Sequence, residues 1–311
     1  MAASKDMVSL VQLKYFIRVA DLRSMSKAAE ELFVAQSAVS TAIAQLERNL
    51  KVQLFIRRRS KGVALTEIGK SFYKSAIEIF ATLDSAVDSL NSGTIQGTLT
   101  AGFFTTLAQF YLPSVMEEIG EEFPDVDIDF REFSADQMVE ALDAREIEVA
   151  LAYDFDYGQS VDFIPICEAS LYAAVGKNHK FSDYKSIKMR ELAEEPFILL
   201  DLGKSSSYFL SVFYRVGLRP EVKHRFGSFE TVRSMVARGH GFTVLNQAPA
   251  HDLTNEGLEL VRIPIEDAGF GLLMGLVCRR GESFSKKASL FYEVCVRVLR
   301  RTWGSKDVLF Y

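Results

Sequence analysis

Ser26 to Glu47, SKAAEELFVAQSAVSTAIAQLE, reads as two short helices separated by a turn, and the rest of the chain is placed by reference to it. In the first helix Ser26 is suited to the N-cap, its hydroxyl accepting from an early backbone N–H, and Ala28, Ala29 and Leu32 recur at helical spacing. Phe33, Val34, Ala35 and Gln36 form the turn. Beyond it Ala38, Val39, Ile43 and Leu46 fall on one face of a second helix, while Gln36, Ser37, Ser40, Thr41 and Gln45 fall on or beside the opposite one. A polar, almost uncharged face near a helix N-terminus suits hydrogen bonding to phosphates and base edges in a major groove. On these residues alone an ordinary αα-hairpin with a solvated face fits as well.

The flanks favour the first reading. Val8 to Ala20 carries Leu10, Leu13, Phe16, Ile17 and Ala20 at helical spacing, a helix able to complete a three-helix core. Leu50 to Thr66, LKVQLFIRRRSKGVALT, alternates at Val52, Leu54 and Ile56 and again at Val63 and Leu65, with Gly62 between, and predicts a β-hairpin wing. Arg57, Arg58, Arg59 and Lys61 cluster at its tip, where they could rest on phosphates. The charge is polarised in the same sense. Residues 1–70 hold 12 Lys or Arg against 6 Asp or Glu, a balance of +6, so the remaining residues carry −11 of a net −5. One end is built for a polyanion and the other for a different task.

At this point the sequence resembles the LysR-type transcriptional regulators. The matching residues are Ala38 to Ser40 (AVS), Ile43, Leu46 and Glu47, Leu54 and Phe55, Arg57, Leu65 and Thr66, and Gly69, within about the first 70 residues. Two departures stand out. Lys51 occupies a position usually Gly, and Thr41 and Ala42 occupy positions that are often Arg or Gln, so base reading should rest on Gln36, Ser37 and Ser40.

From Thr66 a new helix begins, with Glu67 supporting its N-terminal dipole. Phe72, Ala76, Ile79, Leu83, Ala86 and Leu90 follow a heptad seam that predicts a coiled-coil dimer, although Phe80 and Val87 widen it toward an ordinary amphipathic stripe. Asn91 to Gly97 reads as a linker, after which strands alternate with helices and imply a parallel sheet with crossovers. Two Pro-containing runs, FIPIC (163–167) and LVRIPI (260–265), read as paired hinge strands joining two α/β subdomains; one continuous doubly wound sheet is the alternative.

The expected architecture is therefore α+β and multidomain, agreeing with what the resemblance implies. A winged helix-turn-helix spans 1–66 and a linker helix 67–92. A two-lobed, periplasmic-binding-protein-like effector domain spans 94–311, with lobe I at about 98–163 and 270–302 and lobe II at about 168–263. Three loops after strands could meet a ligand: GFFTT, DLGKSSS and GHGFT. In the first, Thr105 and Thr106 would cap a helix and Phe104 would wall a pocket. In the second, Asp201, Lys204, Ser205, Ser206 and Ser207 could cradle an anion. Phe242 in the third and Arg131 at the end of strand 126–131 complete the candidate set. The resemblance places the effector, expected to be polar or anionic, against Thr105, Thr106 and Ser205 to Ser207.

No G-x-S-x-G, Walker loop or G-x-G-x-x-G after a strand occurs, and no His pairs with an evident nucleophile, which argues against an enzyme. A solute-binding module or enzyme with an incidental helical N-terminus is the rival, and it leaves the +6 balance without a purpose. His179, His224, His240 and His251 lack metal-ligand spacing; Cys167, Cys278 and Cys295 lack C-x-x-C spacing and should be buried thiols. With no cysteine between Cys167 and Cys278, the peroxide-sensing pair that some LysR relatives carry is missing. No cofactor or metal is expected. The expected partners are double-stranded DNA, a small-molecule effector and further copies of the chain, as a homodimer through the linker helix and a homotetramer, with RNA polymerase a further candidate. No apolar run of bilayer length and no signal-peptide core occur, so a cytoplasmic location is expected.

Overall fold

The computed structural model describes residues 8–58, 62–90, 95–269, 271–282 and 284–303. The chain divides into two compact units, Met1–Ser92 and Gly93–Tyr311.

The first unit runs α1 (Leu10–Leu22), α2 (Met25–Glu31), α3 (Gln36–Leu50), β1 (Phe55–Arg58), β2 (Gly62–Leu65) and α4 (Glu67–Leu90). Helix α1 starts with a capping box, in which the Ser9 hydroxyl accepts from Gln12 N–H and the Gln12 side chain returns to Ser9 N–H. Its Phe16 is fully buried, with the rings of Phe55 and Phe72 each 5.2 Å away, so one side chain ties the helices to the wing and to α4.

Several expectations shift here. The N-cap of α2 is Ser24, whose hydroxyl accepts from Lys27 N–H, and Ser26 lies exposed inside the helix. Gln36 is the first residue of α3 rather than part of the turn, and Ala38 is exposed while Val39, Ile43 and Leu46 carry the buried face. In the wing Leu54 and Phe55 are both buried and Ile56 is 47% exposed, so the predicted alternation holds at Leu54 and Val63 and fails at Ile56. The cause is Glu47, whose Oε1 accepts from Leu54 N–H at 2.7 Å and Phe55 N–H at 3.1 Å and so fixes where the strand begins. The heptad seam is divided: Phe72 and Ala76 pack on the unit's own core, Ile79 and Leu83 are exposed, and the side chains of Ala86, Val87 and Leu90, like residues 91–94, lie outside the described residues.

The second unit continues with β3 (Gly97–Phe104), α5 (Thr105–Glu122), β4 (Val126–Phe133), α6 (Ala135–Asp143), β5 (Val149–Tyr153), β6 (Val161–Ala169), β7 (Tyr172–Gly176) and α7 (Met189–Leu192). It then runs β8 (Phe197–Leu200), α8 (Lys204–Arg215), β9 (Val222–Phe226), α9 (Phe229–Ala237), β10 (Thr243–Leu245), β11 (Leu260–Pro264), β12 (Leu272–Arg279) and α10 (Lys286–Trp303). Lobe I is built on a five-stranded sheet ordered β4-β3-β5-β12-β6, and lobe II on β10-β7-β11 with the parallel pair β8-β9. The wholly parallel sheet expected from the strand and helix alternation is not what forms. β12 runs antiparallel to both β5 and β6, and β10 and β11 run antiparallel to β7.

The hinge expectation is corrected as well. FIPIC lies in β6 and LVRIPI starts β11, and these strands sit in different sheets. The paired crossing strands are β6 and β12, with Ala169 opposite Leu272 where the chain leaves lobe I and where it returns. Pro165 is accommodated because β6 is an edge strand and its register shifts beside Pro165, so the missing N–H interrupts no regular ladder.

Candidate DNA-reading face and interlobe cleft

Gln36, Ser37, Thr41 and Gln45 are exposed on α3 and Ser40 is half-buried, along one stripe opposite the buried Val39, Ile43 and Leu46. The helix begins at Ala35 with no side-chain cap, so its first N–H groups face outward beside Gln36 and Ser37. Among the described residues no side-chain hydrogen bond engages Gln36, Ser37 or Thr41, whereas Gln45 is spent on Arg48 and Asn49 at 2.7 Å each. Lys51 closes the helix in the left-handed region, φ 57°, so the chain makes the turn that a glycine would make and accepts the strain. Phe33, also left-handed at φ 54°, is 95% exposed in the preceding turn.

The other residues of the family pattern fasten the wing. Besides Glu47, the Thr66 hydroxyl donates to the Gln53 carbonyl at 2.8 Å and accepts from Gly69 N–H at 2.9 Å. A Cβ at Gly69 would lie 2.1 Å from the Leu54 carbonyl oxygen, so no larger residue fits. Arg57 and Arg58 stand on β1; their side chains, with Arg59 and Lys61, lie outside the described residues.

In the second unit the lobes bring Phe104, Thr106 and Ser205 together with Tyr153, Phe155, Leu200, Phe209, Phe229, Asn246 and Leu272. These side chains enclose only about 10 Å³, roughly one water site. Phe104 packs edge-on against Tyr153 and at 5.4 Å from Phe155. Thr106 lies 3.4 Å from the Tyr153 hydroxyl, which also donates to Asn246 Oδ1 at 3.4 Å, and Asn246 Nδ2 has no protein partner. Burial among these rings pushes the Tyr153 hydroxyl far above its ordinary pKa, so it stays a neutral donor. Among the described residues, no charged side chain borders the space.

The remaining candidates sit elsewhere. Neither Thr105 nor Thr106 caps α5: Thr105 donates to the Phe133 carbonyl and the N-cap is Phe104. The serine stretch is no cradle, since Ser205 accepts from Leu202 N–H, Ser206 donates to the Gly203 carbonyl, and Ser207 is exposed. Lys204 reaches the Asp156 carbonyl, Asp201 faces Arg225 at 3.5 Å, and Arg131 pairs with Asp129 at 2.6 Å on the surface. Phe242 is buried in the lobe II core, stacked on Phe197 at 5.0 Å, because Gly241 lets the chain press against the Pro196 carbonyl. Cys167, Cys278 and Cys295 are buried, and burial pushes the Cys278 thiol up to about 11.

Sequence reasoning missed Tyr111, Tyr153, Asn246 and Gln247. One signal was available: Tyr153 ends VALAY, a wholly buried strand in which a hydroxyl must find an internal partner.

Comparison with known proteins covers both domains. Residues 10–70 match the bacterial regulatory helix-turn-helix protein model of the lysR family, and residues 92–300 match the LysR substrate binding domain. The transcriptional dual regulator GltC of Bacillus subtilis is 30% identical over 93% of this chain and 97% of its own length. HinK, a LysR family transcriptional regulator from Pseudomonas aeruginosa, is 29% identical with a TM-score of 0.63, covering 93% of this chain and 98% of its own. Full-length CbnR, solved in complex with its target DNA, shares the fold at 21% identity and a TM-score of 0.64 over 94% of this chain and 100% of its own. The chain belongs to the LysR family of transcriptional regulators, with a helix-turn-helix DNA-binding domain and an effector-binding domain, and it is not an enzyme.

Proposed function

We propose that Gln36, Ser37 and Ser40 read base edges in a major groove, with Thr41 beside them, while Arg57 to Lys61 on the wing hold the phosphates. One observation carries this reading: the polar side chains at the uncapped start of α3 are exposed and unspent. Neither Ser26 nor Gln45 is needed as a base reader, and each can at most touch the backbone of the duplex. Two copies pair through α4, where Ile68, Ile79 and Leu83 share an exposed face, and the effector domains pair further into a tetramer. The protein acts in the cytoplasm, with RNA polymerase as its further partner.

A small molecule binds between the lobes, among Phe104, Thr106 and Ser205, and biases the arrangement of the DNA-binding pairs. The uncharged, aromatic surroundings favour a mainly apolar ligand with hydrogen-bonding groups over an anion held by Lys204. Gel shift of the full-length protein against genomic fragments tests the first part. Fragments should be retained at low salt, Arg57→Ala should weaken retention across sequences with a shallower salt dependence, and Ser37→Ala should change which sequences are preferred. Retention with an unaltered salt dependence in Arg57→Ala would remove the wing from the phosphate contacts.

A further inference from the structure

Where the two lobes meet, several polar side chains pair across the boundary. Gln247, 1% exposed, follows β10 of lobe II. Its Oε1 accepts from the Tyr111 hydroxyl on α5 at 2.7 Å, and its Nε2 donates toward Met274 Sδ on β12 at 3.1 Å. Its backbone carbonyl accepts from the Tyr172 hydroxyl of lobe II at 2.7 Å, which anchors it on its own side. The Tyr111 hydroxyl accepts in turn from Trp303 Nε1 on α10 at 2.7 Å. Trp303 is the only tryptophan of the chain.

We infer that Trp303, Tyr111 and Gln247 form a latch that holds the lobes together over the effector cleft, so that a ligand is admitted only when the Tyr111–Gln247 hydrogen bond opens. The inference rests on the reading that the effector binds between the lobes. The enclosed space is about 10 Å³, against a few hundred Å³ for a typical small-molecule site, so admission requires the lobes to part. Parting strips the partner from Gln247 Oε1 and breaks the alignment that Trp303 Nε1 meets, and losing buried partners together makes the change two-state rather than gradual. Apparent ligand affinity is then reduced by the fraction of molecules whose latch is open, and weakening the latch raises that fraction. Away from the latch the same boundary is held by Lys204 on the Asp156 carbonyl and by Phe110 edge-on to Phe229 at 5.6 Å. These contacts give an independent handle on the same motion.

The test uses the full-length protein, the emission of Trp303, and anilinonaphthalene sulfonate as a probe that fluoresces in apolar clefts. Tyr111→Phe removes the hydroxyl while keeping the ring; Gln247→Met keeps the length while removing the amide. Each should raise probe fluorescence several-fold and shift Trp303 emission to the red, with cooperative thermal unfolding retained. Lys204→Ala, which touches none of the partners of Trp303, should shift the emission in the same direction. Probe fluorescence at the wild-type level in both latch variants, or unchanged emission in Lys204→Ala, would overturn the latch. Retention of genomic fragments by the same variants addresses the other reading separately: a cleft that opens to the probe without altering DNA retention keeps the latch and removes its link to regulation.

Discussion

The outer face of α3 and the inner faces of the lobes are opposites. The first offers Gln36, Ser37 and Thr41 with no side-chain bond to the described residues, at a helix start left uncapped. The second has Tyr111 engaged with Gln247, Tyr153 engaged with Asn246, and rings filling nearly all the space. A surface whose polar groups are unspent can bind without rearranging, and binding there exchanges water for partner at little internal cost. A surface whose groups are spent on each other must first come apart, which suits a switch. Under the proposed function, the DNA contact falls on a rigid face and the regulatory contact on a movable one.

The largest effect expected from this contrast is at Phe104. Phe104→Ala should destabilise the second unit by about 3–5 kcal/mol, read as a lowered urea midpoint, because a fully buried ring wedged between Tyr153 and Phe155 leaves a cavity. A loss below about 1 kcal/mol would mean the cleft is loosely packed and the contrast with α3 is false.

The converse substitution is Gln36→Ala, which should change stability by less than about 0.5 kcal/mol yet cost about 1–3 kcal/mol of discrimination between base pairs in a binding titration. Unchanged discrimination would move base reading off the start of α3. A smaller effect of opposite sign is expected just past the other end of this helix. Lys51→Gly should stabilise the first unit by about 1 kcal/mol, since glycine adopts the left-handed conformation without strain, and thermal melting checks it.

The smallest expected effect is a pH dependence confined to lobe II. Burial holds His179 below its ordinary pKa of 6.5, outweighing Glu195 beside it. The unfolded chain therefore binds this proton more readily than the folded one. The stability it contributes is complete above 6.5 and declines as the pH falls below it, and the decline should shrink in His179→Gln in melts across that range.

How much of this was legible in the sequence depends on what sets each feature. The strand and helix alternation of the second unit was legible because elements such as β8 and α9, Phe197–Leu200 and Phe229–Ala237, each pack a continuous apolar face into the lobe II core. The wing alternation failed at Ile56 because the start of the strand is set by a long-range bond from Glu47, which no local alternation records. β9, VKHRF, carries no comparable apolar signal, since none of its residues is fully buried and its parallel partner β8 lies across an intervening helix. The polar face of α3 was legible from residue spacing, with its start placed one residue late because Gln36 reads equally as turn. The cleft was found only in part: Phe104, Thr106 and Ser205 came from loops following strands, but Asn246 in the cleft, and the Tyr111–Gln247 bond between the lobes, depend on long-range packing that sequence order does not reveal.

Amide hydrogen exchange on the full-length protein, with and without a retained genomic fragment, tests the central contrast most directly. The backbone N–H groups of Gln36 and Ser37 precede the first intrahelical bonds, which begin at Ala38 and Val39, and should exchange freely until DNA covers them. The account predicts that DNA adds protection at the start of α3 and along β1 and β2, while the amides around Tyr111 and Gln247 are already slow without it. Retention of the fragment with the start of α3 exchanging as before, or fast exchange around Gln247 in the protein alone, would contradict it.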